Sequence, residues 1–199
     1  GRPARILVGP DAGTDIQTPR WPIERDRTER FVTMDLELDG AQATTETVVG
    51  LGGSAGLRVF LASVDDHSLI VQDVETRLAA SYPGVTVGRV EFGQIEDPDA
   101  RATIDVVWST ASLFEPGNEG ALIIDRSFSE TAYAGAYASE DTRTYPLVIN
   151  SPVYERAEYV LVPPEGYRFE SWPENGEHTS AGSRISRTDS VDDDGSQHS

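Results

Sequence analysis

The 199-residue chain contains no cysteine. That excludes disulfides, thiolate metal sites and every cysteine nucleophile at once. It also contains no lysine, its 16 basic residues all being arginine, so Schiff-base and Ser-Lys chemistry are excluded too. Long apolar runs are missing as well. The longest, such as Ala121-Leu122-Ile123-Ile124 and Tyr159-Val160-Leu161-Val162, hold four residues, against about 18 for a bilayer-spanning helix. The 16 Arg face 34 Asp and Glu, a formal charge of −18. Nucleic acid and anionic lipid are therefore poor partners, because no basic stripe exists to meet phosphate. Adaptation to salty surroundings is a plain reason for such a surface, and the salt dependence of the melting temperature tests it. Gly1-Arg2-Pro3-Ala4-Arg5 opens on neither Met nor a signal-peptide core, and the chain is read as a piece of something longer.

Three regions are expected. Residues 1–30 hold one apolar run, Ile6-Leu7-Val8, then Pro10, Gly13, Pro19 and Pro22, and read as an extended connector. Residues 31–175 read as a β-rich domain, and 176–199, where apolar content collapses around Asp192-Asp193-Asp194, as an acidic disordered tail. Within the domain, Val32, Met34, Leu36 and Leu38 alternate with polar residues, the signature of a half-buried strand. Asp39-Gly40 suits a type I′ turn into a second strand over 41–49.

Leu57, Phe60, Leu61 and Val64 recur at helical spacing, with a strand through Arg58 to Ala62 as the competing assignment. Ile70, Val74, Leu78 and Tyr82 share one face of a second helix, with Asp65 and Asp66 at its positive end and Pro83-Gly84 stopping it. Val85 and Val87, then Val90 and Phe92, are one residue out of phase, which predicts a bulge at Gly88. Ala102, Ile104, Val106 and Trp108 form the next strand after the loop Glu96-Asp97-Pro98-Asp99. Ala121 to Ile124, Leu147 to Ile149, Tyr159 to Val162 and Tyr167 to Trp172 complete the strands, and Tyr133 to Ala138 is ambiguous. The fold class is α+β, a β-rich sandwich-like domain with two inserted helices.

Gly52-Gly53-Ser54-Ala55-Gly56 matches the G-x-S-x-G nucleophile elbow. A hydrolase built on Ser54 would draw on Asp105 or Asp125 and on His67 or His178; the competing reading makes Ser54 a helix N-cap. Asp192-Asp193-Asp194 lacks the alternating spacing that wraps a calcium ion. His67, His178 and His198 never pair at i+3 or i+4, so zinc has little support. Trp21, Trp172, Tyr133 and Tyr137 are candidates for stacking on sugar rings. No catalytic, cofactor-binding or metal-ligating residue is assigned, and no cofactor is expected.

Arg143-Thr144-Tyr145-Pro146-Leu147-Val148-Ile149, Pro152, then Tyr159-Val160-Leu161-Val162-Pro163-Pro164-Glu165-Gly166-Tyr167 and Pro173, form an ordered set. With Ala55-Gly56-Leu57-Arg58, Tyr82-Pro83-Gly84 and Gly120 to Ile124 before it, the set resembles the β-rich region C-terminal to the catalytic core of bacterial transglutaminase-like proteins. The similarity runs over roughly residues 4 to 173. It implies a non-catalytic accessory or interaction domain, extracytoplasmic at the cell envelope, packed on its own transglutaminase-like core or on another envelope protein. The family's papain-like nucleophile has no position here, since the chain has no Cys. The alternatives are a serine hydrolase using Ser54 and a carbohydrate- or calcium-binding β module.

Overall fold

The computed structural model describes residues 3–7, 13–17, 22–111, 113–117, 121–124, 154–170, 174–180, 183–188, 190–191 and 197–198. β1 (Pro3–Leu7) and β2 (Gly13–Gln17) pair antiparallel, and α1 (Ile23–Asp26) follows. β3 (Thr28–Glu37) and β4 (Gly40–Val48) form a hairpin, α2 (Leu51–Ser63) and α3 (His67–Ala79) come next, and β5 (Thr86–Gly93) with β6 (Thr103–Ala111) form a second hairpin. The short β7 (Glu115–Pro116) and β8 (Leu122–Ile123) pair with each other. β9 (Glu155–Val162), β10 (Gly176–Ser180), β11 (Ser183–Arg187), β12 (Ser190–Val191) and β13 (Gln197–His198) complete the chain.

One mixed sheet organises these elements, in the order β12-β13-β9-β3-β4-β6-β5. β9 runs parallel to β3, and the other central pairs are antiparallel. β4 and β5 both run opposite to β6 and are therefore parallel to each other. A hairpin cannot join parallel strands, and the crossover between them is α2 and α3. The result is α+β with a β-rich core and two inserted helices.

Period-two side chains build the core in rows across the strands. Tyr159, Val32, Thr45, Val106 and Val90 lie in one row, and Leu161, Met34, Ala43, Trp108 and Val87 in the next. Ala41 and Ala43 keep the central strand low, so Trp108 can lie across it and donate its indole N–H to Thr45 Oγ1 at 2.9 Å. Tyr82 packs against Trp108 at a tilt of 45°, with ring centroids 4.5 Å apart, and Val71, Val74 and Leu78 of α3 close over the same cluster. Burying each such side chain contributes about 1.5–3 kcal/mol. Ile70, Leu78 and Tyr82 are buried and Val74 half-buried, as their four-residue spacing predicts. Asp66 is the N-cap of α3 and accepts from Ser68 N at 2.9 Å. Gly84, at φ 64, ends the turn after the helix.

The bulge falls where the phase shift put it, the β5–β6 register slipping between Val87 and Arg89. β5 has one strand neighbour among the described residues. Its edge is blunted by that bulge, by the charges of Arg89 and Glu91, and by Glu75 Oε2 of α3, which accepts from Val87 N at 3.1 Å.

Several expectations are corrected. The β3–β4 loop is Leu38-Asp39, and neither it nor Gly40 has positive φ, so the turn is not type I′. Gly40 belongs to β4, where a Cβ would collide with the carbonyl of Thr110 on β6; the glycine serves close strand approach. The turn at Glu165-Gly166 is present, with Gly166 at φ 83 and Tyr167 N bonded to Pro164 O. No strand returns over Tyr167 to Glu170. β13 takes the β9 edge at Val160 and Leu161 instead, and Phe169 folds onto the core.

The expected connector holds β1, β2 and α1, and β3 begins at Thr28 rather than Phe31. Within 176–199, β10 and β11 pair through backbone and an Arg184–Glu177 ion pair of 2.7 Å, a pairing that apolar content does not announce. The expected strand Leu147 to Ile149 and the ambiguous Tyr133 to Ala138 lie outside the described residues.

Candidate functional site

Ser54 is not the N-cap of α2. β4 ends at Val48 and the helix starts at Leu51, so Gly50 is the N-cap and Ser54 falls one turn inside. The first turn borrows its acceptors from the end of α1 and the start of β3: Asp26 Oδ1 takes Gly52 N at 3.0 Å and Thr28 Oγ1 takes Gly50 N at 3.3 Å. Ser54 is fully buried, its hydroxyl donating to Val49 O at 3.0 Å and accepting from Ala102 N at 2.9 Å. A nucleophile elbow needs an exposed Oγ beside a base. Here the Oγ joins the end of β4 to the start of β6, and both partners are backbone.

One turn further along α2, Arg58 wraps the β5–β6 loop around its guanidinium. It donates to the carbonyls of Ile95, Gln94, Asp97 and Ala100 at 2.9, 2.9, 2.6 and 2.8 Å. Gln94, the one non-glycine at positive φ among the described residues, turns its carbonyl into this ring. Beneath the loop, Glu29 bridges Arg101 at 2.8 Å and Arg27 at 2.6 Å, and Arg101 also donates to the carbonyls of Arg27 and Val48. Hydrogen bonding from Arg101, with Arg27 adding to it, holds the Glu29 carboxyl below its ordinary 4.5 against the opposing pull of burial.

The sheet face away from the core is mixed, with half-buried Phe31, Val107, Val160 and Val162 set among polar residues. Glu46, Asp105 and Glu91 stand side by side across β4, β6 and β5, with Asp35, Gln42 and Thr44 exposed nearby on that face. Asp105 is thus on the opposite side of the sheet from the core and does not meet Ser54. His67 opens α3, its ring edge-on to Phe92 with centroids 6.5 Å apart. The backbones of His178 and His198 lie in β10 and β13. Trp21, Asp125, Tyr133, Tyr137, Trp172 and Asp192-Asp193-Asp194 lie outside the described residues. Among the described residues no group of three His, Asp or Glu is placed to hold a metal ion, and no helix is long and apolar enough to cross a membrane.

No family model, curated protein or solved structure matches this chain.

Among the described residues, exposed carboxylates stand on one sheet face, and apolar side chains are exposed on α2 and α3, where Val59 is 72%, Leu69 57% and Phe60 43% exposed. Sequence reasoning missed Arg58, Glu29 and Arg101. Arg58 is the one charge in an otherwise uncharged helix, which is a signal of a specific partner. The Glu29–Arg101 pairing joins residues far apart in the chain and has no local signature.

Proposed function

We propose that this chain is a non-catalytic accessory or interaction domain, C-terminal to a transglutaminase-like core and operating at the cell envelope. The ordered motifs around Pro163-Pro164-Glu165-Gly166-Tyr167 support the family half of this reading, and it is an argument by analogy. The observation that carries the other half is the sealing of Ser54: the serine in the nucleophile-type pattern has its donor and acceptor committed to backbone. Among the described residues, the apolar side chains exposed on α2 and α3 are suited to contact with a partner.

A fluorophosphonate probe tests the catalytic half. No labelling is expected, and labelling lost in Ser54→Ala would overturn the reading in favour of a serine hydrolase. The coding frame upstream of Gly1 tests the family half. It is expected to encode Cys, His and Asp in papain-like order, and their absence there removes the transglutaminase-like assignment. Calorimetric titration with calcium and with cell-wall glycans is expected to give flat traces; binding heat moves the assignment to a ligand-binding β module.

A further inference from the structure

We propose that the outward face of α2 is a self-association surface that joins two copies of this chain as a weak antiparallel helix pair, independently of the accessory role. In a chain of net charge −18, two copies repel wherever carboxylates meet. The stretch between Glu46 and Asp65 is the longest in the chain without an acidic residue, and α2 lies inside it. Its single charge, Arg58, is turned away onto the β5–β6 loop. From Ala55 to Ser63 the outward face is therefore neutral, and the Asp26 carboxylate marks its N-terminal end at Gly52.

That face is also apolar and exposed. Gly52, Ala55, Gly56, Val59, Phe60 and Ser63 all face solvent, at the spacing of one helical face. Val59 and Phe60 lie in the second half of the helix and the glycines in the first. A two-fold axis near Leu57, the middle of α2, sets Val59 against Gly56 and Phe60 against Ala55 of the second copy. Each large side chain then meets a small one, the self-complementarity that an isologous contact requires. A Cβ added at Gly56 would meet nothing within 4 Å in the monomer, so the space above it is free for a side chain from outside. Thirteen residues make a helix about 20 Å long. Such a contact buries on the order of 800 Å², below the roughly 1,200 Å² of a standard interface, so the pair is concentration-dependent.

Sedimentation equilibrium of the full chain, from about 10 µM to about 1 mM and from about 0.1 M to about 2 M NaCl, tests the proposal. The expected result is a monomer–dimer equilibrium that tightens with salt as repulsion is screened. Phe60→Asp weakens it about tenfold or more, because a carboxylate enters an apolar contact. Gly56→Leu weakens it similarly while the melting temperature holds or rises, since leucine has the better helix propensity and the monomer has room for it. Leu38→Asp, an exposed apolar residue outside α2, leaves association unchanged. A wild-type monomer at every concentration and salt overturns the proposal. So does a dimer that neither α2 substitution weakens.

Discussion

α2 and α3 are both thirteen residues long and separated by three residues, yet they are attached to the fold in opposite ways. α3 carries Asp73, Glu75 and Arg77, and still buries Ile70 and Leu78. α2 has one charged residue, buries Leu51 and Ser54, and shows Val59 and Phe60 to solvent. Spacing makes the difference. The apolar residues of α3 fall in line with Tyr82 and close over Trp108. Those of α2 are divided, Leu57, Leu61 and the C-cap Val64 half-buried on one side and Val59 and Phe60 exposed on the other, and its specific attachments are polar: Ser54 to Val49 and Ala102, Arg58 to the β5–β6 loop. Apolar content alone does not decide which helix reaches the core.

The largest effect that sharpens this contrast is Leu78→Ala, which removes buried α3 contact with the sheet. It should cost about 2–5 kcal/mol of global stability, read by denaturant midpoint. Ser54→Ala leaves the Ala102 N–H without its acceptor in a buried site and should cost about 1–3 kcal/mol, with the loss centred on α2 and the start of β6 in amide exchange. Arg58→Ala breaks several partly exposed contacts and should cost about 1 kcal/mol, loosening residues 94–100 in the same measurement.

Glu29 adds a pH dependence. Its folded pKa is depressed, so its stabilisation is complete above the ordinary 4.5 and is lost as pH falls through the lower folded value. Thermal melts across that acid range should show a slope that Glu29→Gln flattens. Smallest of all, Phe60→Ser should leave monomer stability within about 0.5 kcal/mol, and a large loss would mean that α2 is seated by apolar packing after all.

Legibility from sequence followed the same division. α3, its acidic N-terminus, the bulge at Gly88 and the alternation through Trp108 were all readable, because burial imposes a period on neighbouring residues. The β3–β4 hairpin was readable as strands, but its turn was not, because Gly40 answers to Thr110 across the sheet rather than to its own φ. Ser54 misled for a related reason. Gly52, Ser54 and Gly56 at alternate positions satisfy a reactive motif, whereas the hydroxyl is held by Ala102, 48 residues away. Polar contacts of that range leave no periodic trace, which is why the Arg58 ring and the Glu29 bridge appear only in three dimensions.

Amide hydrogen exchange in rising, sub-denaturing guanidinium compares the two helices most directly. Polar attachment at α2 and apolar seating at α3 predict that α2 amides exchange through a partial opening, with a lower free energy and a shallower denaturant slope than α3 amides, which open only with the sheet. A single shared free energy and slope for both helices would contradict the account.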